Sequence, residues 1–278
     1  MRVTILLTGC INPDGMSFTR LTDTNERMKQ YVDAIHYYLE ATNNKIVFCE
    51  NSNTNISSLF ENNKNSNRLK ILTFSGNKEK QKGKGYGEAE IIEYAFQHSS
   101  WLKENNIVIK ITGRLIVNNI CQIIKSLQYN DDFVTCLFHS DLSFADSRIF
   151  CATPAFYKEF LRNKNRINDS EGRYFEHLLS YIVIESSIQF IPFTEEPQIT
   201  GMSGSSGNCY QAKKSTKKQQ LLFKRYSLEQ LYKINNKSRN KHQGLYKKTI
   251  LMIKITGYKL LVKYLYILFF TFELNTRI

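Results

Sequence analysis

Residues 107–118 read IVIKITGRLIVN, and this stretch decides the fold. Its β-branched apolar residues predict a buried strand. The strand carries four chemically useful residues towards its carboxyl end: Lys110, Thr112, Gly113 and Arg114. Ligands of open α/β sheets bind at such strand ends, and cations beside a hydroxyl and a glycine suit a phosphate. Ordinary surface charges at the end of a strand would give the same pattern.

Strand-like and helix-like segments alternate along residues 1–210. The apolar strand-like runs on either side of the opening stretch are residues 3–7, 45–49, 69–74, 132–138, 147–152 and 188–193. Apolar residues recur at helical spacing in residues 23–41, 89–102, 154–162 and 174–184. This alternation predicts an α/β fold in which a mostly parallel sheet is flanked by helices.

The charge of the chain is unevenly distributed. The 278 residues carry a net charge of +13. Residues 211–278 contain 16 Lys or Arg residues, and their acidic residues are only Glu229 and Glu273. The basic character therefore belongs to this segment. We expect a body of residues 1–210 followed by a basic tail of residues 211–278.

The basic tail combines lysines with many apolar and aromatic residues. Its apolar run at residues 264–272 is far shorter than the ~20 residues that span a bilayer. Lysines that flank and interrupt an aromatic-rich helix predict a segment lying on an anionic membrane surface. A packed helical appendage or a dimer contact is the alternative. Nucleic acid is not an expected partner, because so many apolar residues suit lipid better.

The cysteines and the N-terminus indicate a cytoplasmic setting. The six cysteines occur singly, without a CxxC pair or a histidine at zinc-ligand spacing. The N-terminal apolar run is too short for a signal peptide, so it is interpreted as the first strand. We therefore expect a reduced, cytoplasmic protein that associates with the inner face of the membrane through its tail.

Two glycine-containing loops have the flexibility that phosphate sites need. The loop KGKGYGE, residues 82–88, lacks the spacing of a P-loop and of a dinucleotide fingerprint. Its Lys82 and Lys84 either close over an anionic ligand or belong to a solvated loop. The run TGMSGSSG, residues 200–207, is either a flexible linker or a nest of backbone N–H groups for a diphosphate.

Three acidic residues in the second half of the body are candidates for a general base. Glu176 is the first choice, followed by Asp146 and Glu171. Such a residue would take a proton from an attacking hydroxyl. An acid at a helix start is also commonly a cap or a dipole partner, which is the alternative for Glu171 and Glu176.

Several segments in a fixed order resemble one group of enzymes. They are ILLTGCINP, GKGYGEAEIIEYA, IVIKITGR, ADSRIFCATPAFYKEFL, SEGRYFEHLL and PQITGMSGSSGNCY, all within residues 1–210. This order resembles that of bacterial capsule or lipopolysaccharide (O-antigen) glycosyltransferases with a GT-A-like, Rossmann-like fold. The resemblance implies transfer of a sugar from a nucleotide-diphosphate sugar to a hydroxyl of a lipid-linked saccharide acceptor.

The resemblance also implies a set of donor-binding residues. They are Thr8, Gly9, Cys10, Asn12, Glu50, Lys110, Thr112, Gly113, Arg114, Arg148, Ser203, Gly204, Ser205 and Ser206. Many such enzymes have a metal-binding Asp-x-Asp motif where this chain has Lys110 and Arg114. We therefore expect no metal and no other cofactor, although a divalent metal is not excluded. These two cations are expected to offset the charge of the leaving diphosphate.

Two other classes of function fit the same sequence. Another transferase that acts on a phosphate-bearing substrate could use the cationic strand end. A non-enzymatic membrane adaptor would explain the basic tail and would use the body only as a scaffold.

Overall fold

The computed structural model describes residues 2–15, 19–103, 106–127, 131–212, 215–237 and 254–260. The strands in this part of the chain are β1 (Arg2–Gly9), β2 (Lys45–Glu50), β3 (Leu69–Thr73), β4 (Asn106–Thr112), β5 (Ile116–Val117), β6 (Phe133–Thr135), β7 (Ile149–Ala152), β8 (Gln189–Phe190), β9 (Ile199–Met202) and β10 (Cys209–Tyr210). The α-helices are α1 (Thr24–Ala41), α2 (Lys84–His98), α3 (Ile120–Ser126), α4 (Pro154–Arg162), α5 (Phe175–Glu185) and α6 (Lys217–Lys237). Residues 254–260 are also helical.

Seven strands form the central sheet, in the order β3-β2-β1-β4-β7-β6-β8. The strands β1, β2, β3 and β4 pair in parallel. Only β7 runs the other way, because it pairs antiparallel with both β4 and β6. The prediction of an α/β fold with a mostly parallel sheet flanked by helices is confirmed, although β6 and β8 are shorter than the apolar runs suggested.

Helices cover both faces of this sheet, which explains why most residues of its strands are apolar. Alternate residues of β1 face opposite layers. Leu6 belongs to a core that includes residues of α2, α4 and α5. Ile5 and Leu7 belong to a second core, built with α1 and α3. The parallel arrangement brings the carboxyl ends of β1, β2 and β4 to one edge.

A small antiparallel sheet lies beside that edge. Its order is β10-β9-β5. The strands β9 and β10 pair through Met202 with Cys209 and through Gly201 with Tyr210. The Gly/Ser-rich run is therefore the turn of a hairpin, and the interpretation as a flexible linker is wrong. Backbone hydrogen bonds within the turn, such as Gly207 N to Ser203 O at 2.9 Å, hold it in shape.

Helix α6 packs on the body even though it follows the expected boundary at residue 210. Phe223 joins the core of α1 and α3, and Ile234 joins the core of α2, α4 and α5. The Tyr226 hydroxyl donates a hydrogen bond to the carbonyl of Phe138. Residues 217–237 are thus part of the body's packing, which corrects the expected boundary and favours a packed helical appendage for this part of the tail.

The rest of the predicted membrane-associating tail lies mostly outside the described residues. That part comprises residues 238–253 and 261–278. Within the described ranges, none of the helices combines the length and the apolar character needed to cross a membrane.

Candidate functional site

A cleft opens at the edge where β1, β2 and β4 end. Its floor includes Thr8 and Gly9 from β1 and Thr112 from β4. Its walls come from α1, α2 and the hairpin turn at residues 203–205. Clefts outside the carboxyl ends of parallel strands are the usual ligand sites of open α/β sheets. A cavity therefore lies at the end of β4, where the sequence predicted a ligand site.

Cations dominate the charged groups of this cleft. Arg27, Lys84, Arg114 and Arg148 line it, and Glu88 is the acidic residue among its lining. Arg148 is neutralised by an ion pair with Asp146 at 2.5 Å, and Glu88 pairs with a lysine beneath the floor. The remaining charge favours an anionic ligand.

Two of these arginines are held by neutral oxygens. Arg27 donates from Nε to the Cys10 carbonyl at 2.9 Å and from Nη1 to the Leu21 carbonyl at 3.0 Å. Arg114 donates from Nη1 to the Met202 carbonyl at 2.9 Å, and its buried Nε has no hydrogen-bond partner in the described residues. Within those residues neither arginine pairs with a carboxylate. Both therefore keep a full charge available for a ligand.

Lys84 completes the cationic group. Its Nζ donates to the Ser205 hydroxyl of the hairpin turn at 3.2 Å. Burial lowers the pKa of Lys84 to about 8, and the charges of Arg27 and Arg114 act in the same direction. An anion bound in the cleft would raise this pKa again and so favour the charged form of Lys84. Lys82, in contrast, lies outside the cleft and pairs with Glu79.

The hairpin turn approaches the end of the Arg114 side chain closely at Gly204. A Cβ atom at Gly204 would lie 2.4 Å from Nη2 of Arg114. Any larger residue would therefore displace the guanidinium or the turn. Ser203, Gly204 and Ser205 line the cleft, whereas Ser206 is used within the turn, where its N–H bonds the Ser203 hydroxyl.

Lys110 lies beneath the cleft and does not face it, which corrects the sequence-based expectation. Its side chain is 0% exposed. Nζ pairs with Glu88 and donates to the Ser147 carbonyl at 2.6 Å. The alternation along β4 directs this side chain into the layer of α2 and α5, so it cannot reach a ligand directly. Thr8 bonds the same Glu88 oxygen, through its hydroxyl, at 3.0 Å.

This buried pair makes a testable contribution to stability. We expect Lys110→Met to lower the free energy of unfolding by about 2–4 kcal/mol, because Glu88 is left without its buried partner. The double variant Lys110→Met/Glu88→Gln should regain part of the loss. Urea unfolding of both would measure this. As a control, Lys158→Met at an exposed position should change the free energy of unfolding by less than about 0.5 kcal/mol. If Lys110→Met had an effect as small as this, the ion pair between Lys110 and Glu88 would not contribute to stability.

Glu50 also departs from its expected role in donor binding. It is fully buried, and its carboxylate accepts hydrogen bonds from the backbone N–H groups of Ser52 and Thr54, both at 2.8 Å. The carboxylate is used to shape the loop after β2. The next residue, Asn51, lines the cleft instead. Asn12 is not among the residues that line the cleft. Its N–H donates a hydrogen bond to the hydroxyl of Ser52, in the loop after β2.

The three candidate bases occupy very different positions. Glu176 is largely buried behind the cleft and accepts a hydrogen bond from the Ser147 hydroxyl at 2.6 Å. Burial raises the pKa of its carboxyl group. Ser147 lines the cleft, so Glu176 reaches it through one hydroxyl. Both carboxylate oxygens of Asp146 are bound by Arg148.

Glu171 is not part of this site. Its carboxylate pairs with Arg173, and it accepts a hydrogen bond from the Asn168 amide at 2.7 Å. Its neighbour Asp169 has a clear structural role, because its carboxylate accepts the Gly85 N–H at 2.9 Å at the start of α2. The alternative reading, in which this acidic segment stabilises local structure, fits Glu171 better.

The remaining donor-site candidates divide into lining residues and support. Cys10 and Arg148 line the cleft together with Thr8, Gly9, Thr112 and Arg114. Gly113 supports the floor, since its N–H bonds the Thr8 carbonyl at 2.8 Å. The lining residues that the sequence did not single out for the site include Arg27, Tyr31, Asn51, Asn77, Glu88, Ser147 and Tyr210. Arg27 and Tyr31 are four residues apart on α1, which places them on the same face of the helix. Every helix has residues at this spacing, so the sequence carried no specific signal for them.

In the parts of the chain that the structure describes, no group of three or more His, Cys, Asp or Glu side chains is arranged to hold a metal ion.

Comparisons with known proteins give low similarity. No protein-family profile and no curated protein matches the chain. The galactosyltransferase LgtC, in complex with donor and acceptor sugar analogs, has a TM-score of 0.44 at 5% identity, covering 68% of this chain and 73% of LgtC. The 4-diphosphocytidyl-2C-methyl-D-erythritol synthase of Anaerococcus prevotii has a TM-score of 0.37 at 10% identity, covering 81% and 97%. HddC of Yersinia pseudotuberculosis has a TM-score of 0.35 at 13% identity, covering 72% and 92%. At these TM-scores the likenesses carry no argument about what this chain binds.

Proposed function

We propose that this chain is a glycosyltransferase that moves a sugar from a nucleotide-diphosphate sugar to a saccharide hydroxyl. The observation that carries the proposal is the cationic group of Arg27, Lys84 and Arg114 in a cleft at the ends of parallel strands. A diphosphate matches this charge and this position. The resemblance of the sequence motifs to GT-A-like glycosyltransferases agrees with the same ligand.

The residues of the cleft suggest a division of labour. The diphosphate would lie between Arg114, Lys84 and the hairpin turn, and the ends of β1 and β2 would contact the nucleoside. The bond between the anomeric carbon and the diphosphate oxygen breaks, and its electron pair leaves with the diphosphate. Fixed cations at that oxygen stabilise the developing charge. The acceptor oxygen forms the new bond, and its proton passes through Ser147 to Glu176.

Binding measurements with nucleotide sugars test the proposal directly. The full chain should bind at least one of the UDP-, GDP- or dTDP-sugars in calorimetry, and binding should persist in EDTA. CMP-sugars, which have a single phosphate, should bind less tightly. Failure of every diphosphate sugar to bind would refute the proposal. Loss of transfer in EDTA with recovery in manganese would refute its metal-independent form. Turnover of a nucleoside triphosphate instead would favour the other transferase class.

The lowered pKa of Lys84 predicts a distinctive pH dependence of donor binding. In the protein without ligand, Lys84 loses its proton above about pH 8, whereas the diphosphate of a nucleotide sugar stays ionised. We expect the Kd to rise about tenfold between pH 7 and pH 9 as the charged form is depleted. Calorimetry at several pH values would measure this. The Lys84→Arg variant should show a nearly flat profile, and an equally steep profile would assign the effect to another group.

We further propose that the acceptor is lipid-linked and that the basic tail holds the enzyme at an anionic membrane. The lysine and aromatic pattern after residue 237 supports this. The full chain should co-sediment with vesicles rich in anionic lipid, and a chain that ends after α6 should not. Neutral vesicles are the control. Equal sedimentation of both chains with anionic vesicles would contradict the role of the tail.

A further inference from the structure

A second cavity adjoins the cleft on the side of α6. It has a volume of about 750 Å³, within the range of about 300–1,000 Å³ that is typical of small-molecule sites. Arg148 and Tyr210 line both cavities. We call this second cavity the α6 groove. A ligand in the α6 groove would therefore meet a ligand in the cleft at these two residues.

The α6 groove and the cleft differ in charge. The cleft contains the cations Arg27, Lys84 and Arg114. The α6 groove is lined by the carboxylates of Asp146 and Glu196, and its one lining lysine or arginine is Arg148, among the residues that the structure describes. The ion pair with Asp146 neutralises that arginine. A phosphate-bearing ligand is thus attracted to the cleft and repelled by the groove.

The walls of the α6 groove combine aromatic surfaces with polar groups. His139 and Phe144 stack with ring centroids 4.9 Å apart. The Arg148 guanidinium lies over the Tyr210 ring, 4.8 Å from its centroid. Glu196 adds an exposed carboxylate, and Gln219 on α6 adds an exposed amide whose oxygen already accepts the Thr216 N–H at 2.8 Å. Rings offer flat apolar surfaces, whereas carboxylates and amides accept hydrogen bonds from hydroxyls.

We propose that the α6 groove binds the acceptor of the transfer reaction, and that this acceptor is a neutral saccharide. Its reacting hydroxyl lies at the Arg148 end, next to Ser147 on the floor of the cleft. Pyranose rings present apolar C–H faces to the aromatic rings and hydroxyl edges to Asp146 and Glu196. The inference rests on the proposed function and extends it, because it assigns one wall of the acceptor site to α6.

The test fills the α6 groove without touching the cleft. Leu222 on α6 is 39% exposed and lines the groove, so Leu222→Trp obstructs it. The matched control is Leu59→Trp, because Leu59 is 53% exposed and lines neither cavity. Gln219→Trp is a second obstructing variant at an exposed position. Each full-length protein is applied to an array of neutral and phosphorylated oligosaccharides, and its binding of nucleotide sugars is measured separately.

The expected result separates the two obstructing variants from the control. Leu222→Trp and Gln219→Trp should weaken binding to the neutral oligosaccharides by about tenfold or more, which corresponds to ~1.4 kcal/mol. Leu59→Trp should bind like the unmodified chain, and all four proteins should bind the nucleotide sugar equally. Slow hydrolysis of the donor by water should also continue in the obstructed variants.

Other results overturn the inference in distinguishable ways. Unchanged oligosaccharide binding in both obstructed variants, or preferential binding of phosphorylated oligosaccharides, would remove the α6 groove as a neutral acceptor site. If the protein bound nucleotide sugars but no oligosaccharide, the α6 groove would also be excluded as an acceptor site, while the proposed donor site would stand. Oligosaccharide binding without nucleotide-sugar binding would instead refute the proposed function and leave the groove as a saccharide site.

Discussion

Replacing Arg114 with Gln is expected to weaken nucleotide-sugar binding by about 10- to 100-fold, because charge-assisted hydrogen bonds contribute roughly 1.5–3 kcal/mol. Arg114 is 8% exposed, and its guanidinium is positioned by the Met202 carbonyl. It has no carboxylate partner within the described residues, so little other than a ligand uses its charge. Arg114→Lys keeps the charge but loses the planar fork, and its affinity should fall between the two.

A matched surface variant separates this effect from a general loss of positive charge. Arg162 is exposed on α4 and pairs with Glu159. Arg162→Gln should leave the Kd unchanged within about twofold, because surface pairs contribute little. Calorimetry measures both variants, and thermal unfolding checks that each is folded. A folded Arg114→Gln protein that binds as tightly as the unmodified chain would exclude Arg114 from the donor site.

The fold could be predicted from the sequence because buried strands are recognisable by their apolar residues. The strand β4 is flanked by helix layers on both faces, so most of its residues are apolar, and Ile107, Val108 and Ile109 are each 0% exposed. The apolar residues on both sides of Lys110, followed by Gly113, therefore indicated both a central strand and its end. The prediction of a site at this edge followed from the parallel arrangement together with the cations, the hydroxyl and the glycine at the end of the strand.

The roles of individual polar residues were less accessible. A strand buried on both faces does not reveal which alternate residues face the ligand, so Lys110 was assigned to the cleft although it pairs with Glu88 on α2. Glu50 looked like a ligand residue at a strand end, but the hydroxyls and N–H groups of the following loop consume its oxygens. Such partners are set by tertiary packing, which a single sequence does not specify.

Helix α6 was assigned to the tail from the sequence for a different reason. Its lysines suggested a tail separate from the body, and only Phe223, Tyr226 and Ile234 mark the face that packs. Long lysine side chains can keep their charge in water while the helix is docked, so a high lysine content does not exclude packing. The consequence is functional, since this helix forms a wall of the α6 groove.

Replacing Glu176 with Gln is expected to lower the rate of transfer by about 10²–10⁴-fold, the usual range for loss of a general base. Ser147 lies on the cleft floor and donates its hydroxyl hydrogen to Glu176 at 2.6 Å. It can therefore accept a proton from the acceptor while passing its own to the carboxylate. Burial raises the pKa of Glu176, which makes it a stronger base near neutral pH than an exposed carboxylate.

The experiment compares transfer rate and donor affinity in four proteins. Glu176→Gln and Ser147→Ala should both lose transfer and keep nucleotide-sugar binding, because neither change removes a cation from the cleft. Glu171→Gln is the matched control, since that carboxylate is exposed and pairs with Arg173. In the unmodified chain the rate should rise with pH through the raised pKa of Glu176, because the ionised form is the active base. Full turnover by a folded Glu176→Gln protein would end its candidacy and leave Asp146, at the junction of the cleft and the α6 groove, as the carboxylate to examine.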